Sequence, residues 1–229
     1  MLMRRTLLQT ATMAAMTWAT RAVAVPRHIK WIAYYGQTAD VSTLAAYDLV
    51  ILDPAFQGSI PAISKAGAKV YAYLSLGETR RTDLYAEIDP AALFAENPTW
   101  GTRQIDVRHP SWRELLLRKI IPGIVAQGFA GLMVDTLDTP PYLEQLSPRD
   151  FSGMTQAAVD LVRTIREAYP QLKLVMNRGY VLLPHVINSI DAVIAESLLT
   201  SDSASRPRPL AVADTCGISR ARWQNSFRC

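Results

Sequence analysis

Six short apolar and β-branched runs, none alternating with polar residues, constrain this chain more than any other feature. They are Trp31 to Tyr35, Leu49 to Leu52, Lys69 to Leu74, Gly131 to Val134, Lys173 to Met176 and Ala192 to Ala195. A strand apolar on both faces needs cover on both sides, the environment of a parallel sheet flanked by helices. The segments between them supply those helices. The clearest spans about Phe151 to Tyr169, with Met154, Ala158, Leu161, Val162, Ile165 and Ala168 on one face and Arg163, Arg166 and Glu167 on the other. Another begins near Ser111, a capping residue with Glu114 three positions on, and carries Leu115, Leu116, Ile120, Ile124 and Val125; Pro122 predicts a kink in it. Repeated β-α units leave two architectures, a doubly wound open sheet or a (β/α)8 barrel.

Five of the six runs lead directly into polar residues. Leu52 is followed by Asp53, Leu76-Gly77 by Glu78, Val134 by Asp135, Met176 by Asn177-Arg178, and Ala195 by Glu196. In a barrel the strand C-termini converge on one mouth, which would gather these residues into a carboxylate-lined cleft. Each taken singly also fits a turn or a helix cap: Asp53 precedes Pro54, and Asp135 or Asp138 precedes Pro140. The first strand opens into Tyr35-Gly36-Gln37, with one glycine and no phosphate-cradling loop, which argues against a dinucleotide fold. The barrel is therefore the expected fold.

Composition excludes several classes. Two cysteines, Cys216 and Cys229, and three scattered histidines make neither a disulfide framework nor a metal site, so no metal or cofactor is expected. The formal charge is +4, yet eight of the 24 basic residues lie within 1–24 and 203–229. Residues 25–202 hold 16 basic and 19 acidic groups, which removes nucleic acid as an expected partner. Residues 1–24 read as an export signal: Arg4-Arg5 precede an apolar run, and Ala22-Val23-Ala24 supplies a small-x-small cleavage pattern before Val25-Pro26. The paired arginines suit a twin-arginine signal or a general secretory one, and either predicts a periplasmic or secreted protein. Gln9, Thr10, Thr12 and Thr17 interrupt the run, so no membrane-spanning segment is expected in the mature chain.

Four segments carry a family resemblance: Val70-Tyr71-Ala72-Tyr73-Leu74-Ser75-Leu76-Gly77-Glu78, Gly128 through Asp138, Met176-Asn177-Arg178-Gly179 and Ala195-Glu196-Ser197-Leu198. Together, in this order, they resemble glycoside hydrolase family 114, secreted (β/α)8 hydrolases that include endo-α-1,4-polygalactosaminidases. The resemblance runs from about Trp31 to Leu199 and departs at Ala130, where the family usually has aspartate. It implies a catalytic pair of Asp135 and Glu196. Glycosidases pair a carboxylate that attacks or stabilises the anomeric carbon with an acid that protonates the leaving oxygen. Asp135 suits the nucleophile, on a short arm at a strand end with the turn amides of Thr136 and Leu137 in reach. Glu196 suits the acid, with a longer arm and apolar flanks in Ala195 and Leu198. A retaining mechanism is expected, with carboxyl groups about 5 Å apart; roughly 6.5 to 9.5 Å would indicate inversion.

An acidic cleft suits a cationic amino-sugar polymer, whose ammonium groups make charge-assisted hydrogen bonds with carboxylates. Asp53, Glu78 and Asp138 are accordingly substrate-binding candidates. Tyr34, Tyr73 and Trp100 are candidates for stacking on sugar faces or for plain packing. Asn177 and Arg178 would orient the acid or hold a hydroxyl, or simply form a turn with Gly179. The C-terminal region departs from the family pattern. A (β/α)8 barrel takes about 250 residues, whereas 205 follow position 24, and only six strands are evident before a Ser-, Arg- and Pro-rich stretch. The expected domains are thus a signal at 1–24, a barrel at 25–202, apparently incomplete, and an atypical tail at 203–229, either frameshifted or flexible, with Leu210 to Ala213 the one further strand candidate. The alternative to a secreted glycosidase is a truncated, non-catalytic, carbohydrate-binding remnant of the same barrel.

Overall fold

A computed structural model describes residues 29–80, 86–195 and 217–219. In chain order the elements are β1 (Trp31–Tyr34), α1 (Val41–Leu44), β2 (Leu49–Leu52), α2 (Ile60–Lys65), β3 (Lys69–Ser75), β4 (Glu78–Thr79), β5 (Leu93–Asn97) and β6 (Thr102–Ile105). They continue with α3 (Pro110–Leu115), α4 (Ile121–Ala126), β7 (Gly131–Asp135), α5 (Thr139–Leu146), α6 (Met154–Ala168), β8 (Lys173–Asn177), α7 (Leu183–Val186), β9 (Ala192–Ala195) and β10 (Gly217–Ser219).

The six apolar runs form six parallel strands in the order β1-β2-β3-β7-β8-β9, curled as part of a (β/α) barrel. Their boundaries match the sequence expectation to within a residue. The short β10 adds to β9 in the antiparallel sense, pairing Ile218 with Ile194. Leu210 to Ala213, residues 1–24 and Glu196 lie outside the described residues.

Strand parity divides the sheet into two surfaces. Val50, Leu52, Val70, Ala72, Leu74, Leu132, Val134, Leu174, Met176 and Val193 face the helices and form the larger core with Trp112, Leu116, Ile120, Leu161, Val162 and Ile165. Leu49, Ile51, Tyr71, Met133, Val175, Ala192 and Ile194 make a smaller core on the other, barrel-interior surface. At the latter, Gly131 is required by its neighbours. A Cβ there would lie 2.5 Å from the Lys173 carbonyl oxygen and 2.9 Å from the Tyr71 ring.

Two helical details differ from expectation. The helix near Ser111 starts at Pro110 with His109 as its cap residue; proline at the first helical position has no N–H to leave unbonded. The kink predicted at Pro122 takes the form of a π-helical turn over Leu116–Ile120 that joins α3 to α4. The missing Pro122 N–H breaks the regular ladder there. The N-terminus of α6 is capped across the chain by Glu144 of α5, whose carboxylate accepts from the Gly153 N–H at 2.7 Å and the Thr155 N–H at 2.9 Å. A side-chain hydrogen bond from Thr155, together with these two backbone bonds, holds the Glu144 carboxyl below its ordinary range.

Between β3 and α3 the chain inserts a second, antiparallel sheet in the order β4-β6-β5. Trp112 of α3 is wholly buried beneath the start of this insertion and donates its indole N–H to the Leu76 carbonyl at 3.2 Å.

Candidate active site

Three neighbouring strands of the barrel-interior surface bring Tyr73, Asp135 and Asn177 together at their C-terminal ends. In the β3–β7 register Ser75 stands opposite Asp135 and Tyr73 opposite Met133, so the Tyr73 ring reaches forward along the sheet. Its hydroxyl donates to Asp135 Oδ2 at 2.9 Å. From the other side, Asn177 at the end of β8 donates through Nδ2 to Asp135 Oδ1 at 3.0 Å. Each carboxylate oxygen therefore has a side-chain donor, and the rotation of the group about its terminal bond is set by two strands at once. The amides of Thr136 and Leu137 were the expected partners; side chains take that place.

Tyr35, beyond the end of β1, was not singled out by the sequence. It is 56% exposed and packs edge-on against Tyr73, ring centres 5.4 Å apart and planes at 84°. It shares strand parity with Trp31 and Ala33, which pack on the barrel-interior core. That parity was the signal available.

Tyr34 is a correction. It points to the opposite, helix-facing surface, where it packs against the larger core and edge-on to Phe56, and its hydroxyl donates to the Thr38 carbonyl at 2.6 Å. A run apolar on both faces does not say which of two adjacent tyrosines faces inward.

Glu78 is a second correction. At 6% exposure, its carboxylate is enclosed within the protein. Oε1 accepts from the Thr139 hydroxyl at 2.7 Å, Oε2 accepts from the Thr102 hydroxyl, and Asn97 Nδ2 reaches both oxygens at 3.3 Å. The chain turns away from the barrel at Leu76-Gly77, so Glu78 opens the inserted sheet rather than ending β3.

Asp53, Asp138 and Arg178 have local partners. Asp53 Oδ1 accepts from the Ala55 N–H at 2.7 Å, an Asx turn around Pro54. Asp138 lies 3.0 Å from Arg178 Nε and accepts from the Gly179 N–H at 3.1 Å. It thereby ties the turn after β7 to the turn after β8. Arg178 is left-handed at φ 53° and Gly179 at φ 63°. Both side chains of the Asp138–Arg178 pair remain about two-fifths exposed.

Among the described residues, the other left-handed one that is not glycine is Thr136, at φ 61° directly after Asp135. For a β-branched residue this conformation is an outlier. Trp100 stands at the tip of the β5–β6 hairpin, 63% exposed. Among the described residues no group of three or more His, Cys, Asp or Glu side chains is placed to hold a metal ion, and no helix is long and apolar enough to cross a membrane.

Known proteins share this fold. The glycoside hydrolase domain of PelA from Pseudomonas aeruginosa superposes with a TM-score of 0.67 at 28% identity, over 78% of this chain and 72% of that one. A galactosamine complex of Aspergillus fumigatus Ega3 gives 0.61 at 17% identity, over 72% of this chain and 65% of that one. An α-galactosidase from Thermus thermophilus, TtGalA, bound to p-nitrophenyl α-D-galactopyranoside, gives 0.52 at 13% identity, over 74% of this chain and 42% of that one. The last two likenesses concern the fold alone. No curated protein matches the sequence. The sequence model of glycoside-hydrolase family GH114 matches residues 10–219, and the chain belongs to that family.

Proposed function

We propose that this protein is a secreted glycoside hydrolase that cleaves α-1,4-linked, galactosamine-rich polysaccharide, with Asp135 as nucleophile and Glu196 as general acid and base. The observation that carries the reading is the Asp135 carboxylate, held at both oxygens by Tyr73 and Asn177 at the end of a central parallel strand. Family membership supports the reaction class, and the galactosamine bound by Ega3 supports the substrate class. Glu196 directly follows β9 and keeps the sequence parity of Ala192 and Ile194, which face the barrel interior.

In the retaining sequence the Asp135 oxygen bonds to the anomeric carbon as the glycosidic C–O bond breaks, and Glu196 gives its proton to the departing oxygen. Glu196, now a carboxylate, takes a proton from water. That water's oxygen attacks the anomeric carbon and releases Asp135. Tyr73 and Asn177 act on the nucleophile by fixing its approach in the geometry that bond formation needs. Exposed Tyr35 beside Tyr73 offers an apolar ring face for a sugar, and the open Asp138–Arg178 pair and Asp53 line the same strand-end surface. The acid excess of residues 25–202 favours a polymer bearing ammonium groups.

Reducing-end release from partially deacetylated α-1,4-polygalactosamine tests the proposal. Wild type releases reducing ends, while Asp135→Asn and Glu196→Gln do not. Polymer binding without release by wild type would instead favour a non-catalytic carbohydrate-binding protein. Proton NMR of the first product separates retention from inversion. For export, mass spectrometry of the mature chain checks cleavage after Ala24.

A further inference from the structure

Asp135 stands on a backbone that the chain would not adopt unaided. Thr136 is held at φ 61°, and a left-handed β-branched residue persists only where its surroundings overdetermine it. Here the surroundings are the β3–β4 turn, some 60 residues earlier in sequence. Thr136 Oγ1 accepts from the Gly77 N–H at 2.7 Å and from the Glu78 N–H at 3.2 Å, and Ser75 Oγ lies 2.8 Å from it. Thr136 in turn donates to the Asp135 carbonyl at 2.7 Å. That same carbonyl accepts from the Leu76 N–H at 3.0 Å. The approach is close enough that a Cβ on Gly77 would lie 2.3 Å from the Thr136 carbonyl oxygen.

The turn is itself anchored. The Leu76 carbonyl accepts the buried Trp112 indole. The enclosed Glu78 carboxylate joins Thr139, at the start of α5, to Asn97 and Thr102 of the inserted sheet. Glu78 thus binds the far end of the Asp135 loop through its side chain, while its backbone binds the near end at Thr136.

We infer that Thr136, Gly77 and Glu78 form a positioning clamp for Asp135: the β3–β4 turn locks Thr136 left-handed and so aims the carboxylate at Tyr73, Asn177 and the anomeric carbon. The inference rests on Asp135 being the nucleophile. None of the three touches substrate; they act through the backbone on either side of Asp135. The inserted sheet is the part that makes the clamp rigid, which gives its burial of a carboxylate a purpose.

The test uses the full chain. Thr136→Ala keeps a Cβ at this position but removes the acceptor of both turn amides that hold the left-handed backbone, and Thr136→Ser restores it. Misplacing a reacting group by about 1 Å costs about 100-fold in rate, so Thr136→Ala should lose kcat on that order with KM little changed, and Thr136→Ser should recover most of it. Should Thr136→Ala fail to fold, Glu78→Gln is the second probe. It places an amide donor against the Asn97 donor and should lower kcat about 10-fold, the loss expected when a positioning contact is weakened by about one factor of ten in rate. Wild-type kcat in the folded Thr136→Ala or Glu78→Gln variant overturns the clamp, as does a Thr136→Ser variant as impaired as Thr136→Ala. If wild type releases no sugar, the proposed function fails separately. The clamp is then judged by crystal structures of wild type and Thr136→Ala: loss of the Tyr73–Asp135 contact supports it, and an unchanged contact overturns it.

Discussion

Replacing Tyr73 with phenylalanine removes its hydrogen bond to the proposed nucleophile. The substitution removes a single oxygen, 2.9 Å from Asp135 Oδ2, and leaves the ring, with its edge-on contact to Tyr35 at 5.4 Å, in place. A hydrogen bond to a charged group contributes about 1.5–3 kcal/mol. At about 1.4 kcal/mol per factor of ten, kcat should fall roughly 10- to 150-fold if the bond orients the attacking carboxylate in the transition state. The fall belongs in kcat, with KM nearly unchanged, because the tyrosine hydroxyl is engaged with the enzyme's own carboxylate. Initial rates of reducing-end release at saturating polygalactosamine measure it. Asn177→Ala removes the donor to the other oxygen at 3.0 Å. With both donors gone the carboxylate is free to rotate, so the double variant should depart from additivity by at least about 0.5 kcal/mol. A Tyr73→Phe enzyme within twofold of wild-type kcat would refute the argument, and so would an effect confined to KM.

The remaining predictions concern stability. Gly131→Ala forces a Cβ to 2.5 Å from the Lys173 carbonyl oxygen, an overpacking cost of about 1–3 kcal/mol, visible as a Tm lowered by several degrees in calorimetry. Trp112→Phe strands the buried Leu76 carbonyl and should cost about 1–3 kcal/mol in urea unfolding; equal midpoints would mean that this bond contributes nothing. Asp191 receives Lys173 Nζ at 2.9 Å, the Leu174 N–H at 3.0 Å and Arg166 Nη2. Burial alone would raise its carboxyl, but these donors together hold it below its ordinary value. A lowered carboxyl stabilises the fold above the unfolded value of about 3.9 and loses that contribution as the pH falls through the folded value. Asp191→Asn should therefore be less stable by about 1–2 kcal/mol at pH 7, allowing for the group's partial exposure. The gap should close as the pH falls below the unfolded value of about 3.9 and through the lower folded value in urea titrations; a gap independent of pH would contradict the assignment.

The six parallel strands were legible because burial on both faces demands apolar residues at consecutive positions, a pattern that survives without tertiary information. Asp135 was legible for a related reason: a carboxylate directly after a fully apolar strand falls at the barrel's mouth. Glu78 has the same local appearance and a different fate. The sequence pattern does not show that the chain leaves the barrel at Gly77, because β4, β5 and β6 are short, mixed in polarity and without a clear period. Tyr34 and Tyr35 likewise differ only in parity, and one residue of register exchanges the helix-facing surface for the barrel interior.

By itself, then, the sequence determined the six parallel strands and the barrel class, since each follows from local periodicity and the order of the elements. Tertiary structure decided which residues at the strand ends meet. Tyr73 and Asn177 lie 62 and 42 positions from Asp135 and meet it only through strand pairing. The left-handed Thr136 runs against its own intrinsic preference and is held by a turn 58 or 59 positions away. Local propensity carries no record of such contacts, because the free energy that sustains them comes from partners remote in the chain.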